Sequence, residues 1–321
     1  MRTFRFVALI APALAVLLPS VAHSQTDWPT KTVTVVVPFA AGGNTDVMAR
    51  MASNHMAGAL KQTFVVENRV GAAGAIAAAY VAKAAPDGYT LLFGAAPQIA
   101  VVPKIQKVNY DPHKDLVPVS VFGTGPFILA INASVPAKTM KEYVAWAKAR
   151  KSTYGSGGTG SIGHLSGALF VARAGVDAVH VPFKGGAPAV TALVGGQIDM
   201  YFGNASELIP HAQGGKVRIL GVATDKRMQQ LPDVPTISEL LPNFSLNSWN
   251  GFLAPGKTPQ AVVDKLSKHV IAAARDPAIV AQLAKLGIQA NGTTPKEFIA
   301  QIAREQPQFD AAIKAANMKP R

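Results

Sequence analysis

From residue 28 onward, short apolar runs alternate with longer stretches in which apolar positions recur every three or four residues. Runs of the first kind predict strands buried on both faces, and stretches of the second kind predict helices with one apolar stripe. Residues 32–38 (TVTVVVP) read as a strand, 39–45 as a glycine-bearing loop and 46–60 as a helix. A strand at 64–67, an alanine-rich helix at 75–84 and a strand at 90–93 complete a first series, the last strand following the turn Pro86-Asp87-Gly88. A second series starts near Leu116, with strands at 117–122 and 127–131 and a helix at 139–149 whose Thr139 and Glu142 have capping-box spacing. Strands at 153–156, 178–181, 198–202 and 217–223 then alternate with helices at 164–174, 187–194 and 207–212. The chain closes with helices at 259–274, 277–285 and 295–315, each opened by a proline and without a sheet of their own.

This order predicts α/β layers with mostly parallel strands in two sheets. The closing helices are expected to return to the first sheet, which makes the first lobe discontinuous: residues 25–124 plus 246–321, with 125–245 as the second lobe. Two crossings, near residues 124 and 246, are how hinged clamshells are built. A chain of 321 residues exceeds one comfortable core, which agrees with two lobes.

Residues 1–24 stand apart from this pattern. Arg2 and Arg5 make a basic start, an apolar run broken only by Pro12 follows, and Ala22-His23-Ser24 places small residues before a cut ahead of Gln25. The run is shorter than the ~20 residues of a spanning helix, so the segment is read as a cleaved secretory signal peptide and the mature chain as periplasmic. The absence of cysteine excludes disulfides, thiol nucleophiles and thiolate metal sites. Removing Arg2 and Arg5 lowers the net charge from +13 to +11. The basic residues are scattered, which disfavours nucleic acid as a partner and suits long-range attraction of an acidic solute.

Candidate chemistry lies in two glycine-rich loops, each between a strand's carboxyl end and a helix start. The first runs Pro38-Phe39-Ala40-Ala41-Gly42-Gly43-Asn44-Thr45-Asp46, and the second Tyr154-Gly155-Ser156-Gly157-Gly158-Thr159-Gly160-Ser161-Ile162-Gly163-His164. In open α/β sheets ligands bind at such places, because free backbone N–H groups at the helix start face an anion. Gly158, Gly160 and Gly163 fit GxGxxG, but Asp177 precedes its strand instead of ending it, so a dinucleotide site is disfavoured. Ser156 or Ser161 beside His164 raises a serine hydrolase, yet neither serine sits in G-x-S-x-G. His55, His113, His180 and His211 lack metal-ligand spacing. Arg69, at a strand end, could pair with a bound carboxylate or, the preferred reading, with Glu67 or a backbone carbonyl to hold the loop; Asp199 is read as a structural cap, and Asn204 with Gly203, at a strand's carboxyl end, as candidates for touching a ligand.

The chain also resembles the Bug proteins, the TctC or tripartite tricarboxylate transporter receptor family. The matching stretches include Trp28-Pro29, Gly42-Gly43-Asn44-Thr45-Asp46, Val66-Glu67-Asn68-Arg69, Ala85-Pro86-Asp87-Gly88-Tyr89 and Tyr154-Gly155-Ser156. Val179-His180-Val181-Pro182-Phe183-Lys184-Gly185, Gly195-Gly196-Gln197-Ile198-Asp199 and Trp249-Asn250-Gly251-Phe252 continue it in order. The resemblance implies a type II-like periplasmic-binding-protein clamshell, without enzyme activity or cofactor, that closes on a small carboxylate: a di- or tricarboxylate, an acidic amino acid or an aromatic acid. It implies ligand contacts from Phe39, Gly42, Gly43, Thr45 and Asp46 in one lobe and from Ser156, Gly160, Ser161 and His164 in the other. The implied partner is the membrane permease of a tripartite transporter; a signalling partner that reads the closed form is the alternative. Ala40-Ala41, Asn44 and Ala95-Ala96-Pro97-Gln98 depart from the family pattern near the expected ligand.

Overall fold

The structure, a computed structural model, describes residues 27–318. The signal-peptide segment lies outside the described residues. Strand β1 (Val33–Val37) is an almost wholly buried valine run flanked in parallel by β2 (Phe64–Asn68) and β3 (Thr90–Ala95). Helix α1 (Asn44–Leu60) packs Met48, Ala49, Ala52 and Met56, positions on one helical face, against this sheet. Helix α2 (Ala75–Ala82) covers the same sheet, and a π-helical turn at Pro97–Val101 leads into the short α3 (Val102–Ile105).

Strand β4 (Leu116–Asn132) ties the molecule together. Sequence reading broke it at Gly123-Thr124-Gly125-Pro126, but it runs unbroken over 17 residues with its register shifted twice on the β9 side. Its first part pairs antiparallel with β9 (Asn247–Pro255) as far as Pro126↔Asn247. From Phe127 onward it pairs instead with β7 (Met200–Asn204) and β8 (Val217–Val222). The two expected sheets therefore share a strand, and the whole forms one ten-stranded sheet. Neither bulges nor glycine interrupt β4, because the backbone groups of both halves find ladder partners.

The second lobe places β5 (Ser152–Ser156) parallel to β6 (Ala178–Pro182) and β7. Around them stand α4 (Met140–Lys148), α5 (Ile162–Ala174), α6 (Gly186–Val194) and α7 (Ala205–Gln213). Thr139 caps α4 as its spacing with Glu142 predicts, Oγ1 accepting the Glu142 N–H at 3.1 Å. Helices α8 (Gln260–Arg275) and α9 (Pro277–Lys285) return to the first sheet. The closing segment does carry one strand, β10 (Gln289–Ala290), paired to β4 at Gly123 and Thr124. The order of the sheet is β2-β1-β3-β9-β4-β7-β5-β6, with β8 and β10 paired to β4 off that path. Helix α10 (Pro295–Ala315), fixed at its start by a Thr294–Glu297 capping box, packs on β4 and also reaches α5 of the second lobe. Its buried Phe298 meets Trp249 edge-on at 4.7 Å. Burying each such ring stabilises by roughly 1.5–3 kcal/mol.

Candidate functional site

The two glycine-rich loops face each other across the junction of the lobes. Phe39, Gly43, Asn44 and Thr45 from the first, with Gly157, Ser161, Ile162 and Gly163 from the second, line one inner cavity of about 40 Å³. Ala95 and Pro97, Phe127, Gly186, Tyr201, Asn204 and Glu207, and Ser248 and Asn250 complete its wall. A wider groove of about 870 Å³ continues past Phe39 between the 71–74 turn, the 157–159 turn, His164 and the 182–184 segment.

The lobes touch directly. The Ala40 N–H donates to the Lys184 carbonyl at 3.0 Å, and the Asn44 N–H donates to Glu207 Oε1 at 2.9 Å. Ser206 Oγ donates to Asn44 Oδ1 at 2.7 Å; Asn44 Nδ2 in turn donates to Asn250 Oδ1, and Asn250 Nδ2 to Thr45 Oγ1. This chain of buried donors and acceptors fixes the start of α1 against β9 and α7.

Of the residues expected to meet a ligand, Phe39, Gly43, Thr45, Ser161 and Asn204 line the inner cavity. The others line no part of it. Gly42 has a left-handed backbone (φ 80°) and donates its N–H to Asp46 Oδ2. Asp46 points away from the cavity, its two oxygens held by Arg50 at 3.0 Å each and by Asn68 at 2.9 Å. Burial works to raise its pKa, but the Arg50, Gly42 and Asn68 hydrogen bonds together hold it below the usual carboxylate value. Ser156 is fully buried and lines neither cavity; its Oγ accepts the Gly158 N–H and lies 2.7 Å from His180 Nε2. The Gly160 N–H donates to His164 Nδ1, and His164 lines the outer groove.

His180, read as an ordinary surface or core histidine, turns out to belong to the second loop's support. Its ring stacks on His164 at 3.8 Å and on Tyr154 at 5.0 Å, and burial pushes its pKa down to about 4. Arg69 lies 2.7 Å from Glu67 and over the Tyr80 ring, as a loop brace. Asp199 accepts from the Thr153 N–H and hydroxyl, joining the starts of β5 and β7. Gly163 allows α5 to approach its sheet, since a Cβ there would stand 2.4 Å from the Phe202 carbonyl oxygen.

The cavity residues that sequence reading missed include Glu207, Tyr201, Ser248 and Asn250, and also Phe127 and Gly186. Asn204-Ala205-Ser206-Glu207 has capping-box spacing, which was a signal that Glu207 turns back toward the strand end. Burial raises the Glu207 pKa, and hydrogen bonds from Asn44, Asn204 and Tyr201 offset this only in part. No group of three or more His, Asp or Glu able to hold a metal exists among the described residues.

Residues 48–318 match the family described as the tripartite tricarboxylate transporter family receptor. The chain belongs to that family. It is a family of receptors. Among solved structures of the same kind, the chain is similar to R. palustris Rpa4515 with adipate, at 34% identity and a TM-score of 0.88, over 92% of this chain and 100% of that one. It is similar to the periplasmic binding protein BugD at 33% identity and TM-score 0.87, over 92% of this chain and 100% of that one. MatC from Rhodopseudomonas palustris with bound malate matches at 34% identity and TM-score 0.86, over 89% and 100%. The family's two-lobed solute-binding fold is thus the fold of this chain.

Proposed function

We propose that the chain is a periplasmic receptor that captures a small carboxylated solute between its lobes and delivers it to a membrane permease of the tripartite tricarboxylate type. The observation that carries this reading is the convergence of two helix starts, α1 and α5, on one cavity between the lobes. Helix N-termini present unpaired N–H groups and the positive end of the helix dipole, which suit a carboxylate without a lysine or arginine. Membership in the receptor family and the adipate and malate held by its relatives support the same class of ligand.

The direct contacts in this reading come from Phe39, Gly43, Thr45, Ser161 and Asn204, while Gly42, Asp46, Ser156, Gly160 and His164 hold the loops in shape. The lobes are residues 25–124 plus 246–321 and residues 125–245, moving about the two crossings, and the signal peptide 1–24 is removed on export. Closure is a population shift driven by contacts that only the closed form gives to both lobes. Among the described residues no helix is long and apolar enough to cross a membrane.

Thermal unfolding of the mature chain against a panel of carboxylates and their amides tests this reading. A ligand at ~100 times its Kd adds about 2.7 kcal/mol, which moves the midpoint by several degrees. A shift with an acid and none with its amide supports the receptor; shifts with neutral solutes alone overturn it.

A further inference from the structure

Glu207 places a carboxyl group in the wall of the inner cavity with no cation beside it. Its side chain projects from the first turn of α7, and Oε1 accepts the Asn44 N–H at 2.9 Å from the opposite lobe. Oε2 accepts from the Tyr201 hydroxyl at 3.3 Å and the Asn204 N–H at 3.4 Å. All three donors are neutral. No lysine, arginine or histidine lines the inner cavity, and Glu207 takes part in none of the ion pairs among the described residues. The backbone makes room for this carboxylate, because a Cβ on Gly186 would stand 2.0 Å from Oε1.

A partly buried carboxyl group lacking a cation disfavours a negative charge beside it and favours a positive one. We propose that Glu207 selects a solute that carries an ammonium group beside its carboxylate, a zwitterion of the amino-acid type, over the same acid without the amine. This rests on the carboxylate-receptor reading and names the ligand class within it. The ligand's carboxylate lies on backbone donors at the start of α5, and its ammonium faces Glu207. Both features border the same cavity, Ser161 and Gly163 on one side and Glu207 on the other.

The test pairs amino acids with their amine-free counterparts: 2-aminoadipate with adipate, glutamate with glutarate, aspartate with succinate, and phenylalanine with 3-phenylpropanoate. Affinities are measured by calorimetry on the refolded mature chain and on Glu207→Gln at fixed ionic strength. At least one amino acid is expected to bind about 30-fold or more tightly than its counterpart, the scale of a desolvated charge pair. Glu207→Gln should shrink that ratio at least tenfold. Equal or tighter binding of the amine-free acids overturns the assignment and leaves the carboxylate receptor standing, as does a ratio that survives the substitution. Binding of no acid of either kind overturns both. Should Glu207→Gln fail to fold, the wild-type ratios alone decide.

Discussion

At the start of α5, Ser161 accepts the N–H of His164 at 3.2 Å, so that helix caps itself. At the start of α1, Gly43 has no side chain to do this, and the first free N–H, that of Asn44, crosses the cleft to Glu207. The two loops look alike in sequence, both glycine-rich and both leading into a helix. One is finished within its own lobe, while the other is finished only by its neighbour. A helix start left open is a place where a partner, whether side chain or ligand, contributes directly to stability. The first loop is therefore the one whose helix start depends on contact with the other lobe, and the second is held in shape within its own.

That contrast can be broken most severely at Gly163. Gly163→Ala drives a methyl into the Phe202 carbonyl and should cost about 3 kcal/mol in denaturant unfolding, with loss of binding, because α5 is displaced bodily. Asp46→Ala comes next. It leaves Arg50, Asn68 and the Gly42 N–H without their shared acceptor, and about 2 kcal/mol of stability should go with it. Hydrogen exchange should then rise in the first loop and stay unchanged in the second. Ser161→Ala should cost about 1 kcal/mol and raise exchange only at the start of α5. Equal effects of these last two substitutions on both loops would erase the distinction drawn between them.

The smallest effect concerns acid. His180 has a folded-state pKa of about 4 against an ordinary value of 6.5, because burial disfavours its charged form. The unfolded chain therefore takes up the proton first as pH falls. Its contribution to stability is fully present above pH 6.5 and is lost progressively toward pH 4. His180→Gln should flatten the midpoint-against-pH curve across that window; an unchanged slope would show that other groups set the acid limb.

Much of this was legible in the sequence, for identifiable reasons. The valine run of β1 and the proline-opened α8, α9 and α10 are local signals, and they appear where periodicity puts them. Strand β9 and the continuity of β4 were not legible, because Gly123 and Pro126 punctuate a strand whose persistence depends on partners more than a hundred residues away. The loops announced themselves through glycine at strand ends. Glu207 did not, since its role comes from the opposite lobe; locally it is only the third residue of a capped helix.

Hydrogen exchange of the mature chain with and without a saturating carboxylate, found by the thermal panel, tests the central claim most directly. Capture between the lobes predicts that amides near residues 39–46, 157–164 and 204–207 slow down together on binding. Slowing in one loop only, or confined to surfaces away from the cavity, would contradict it.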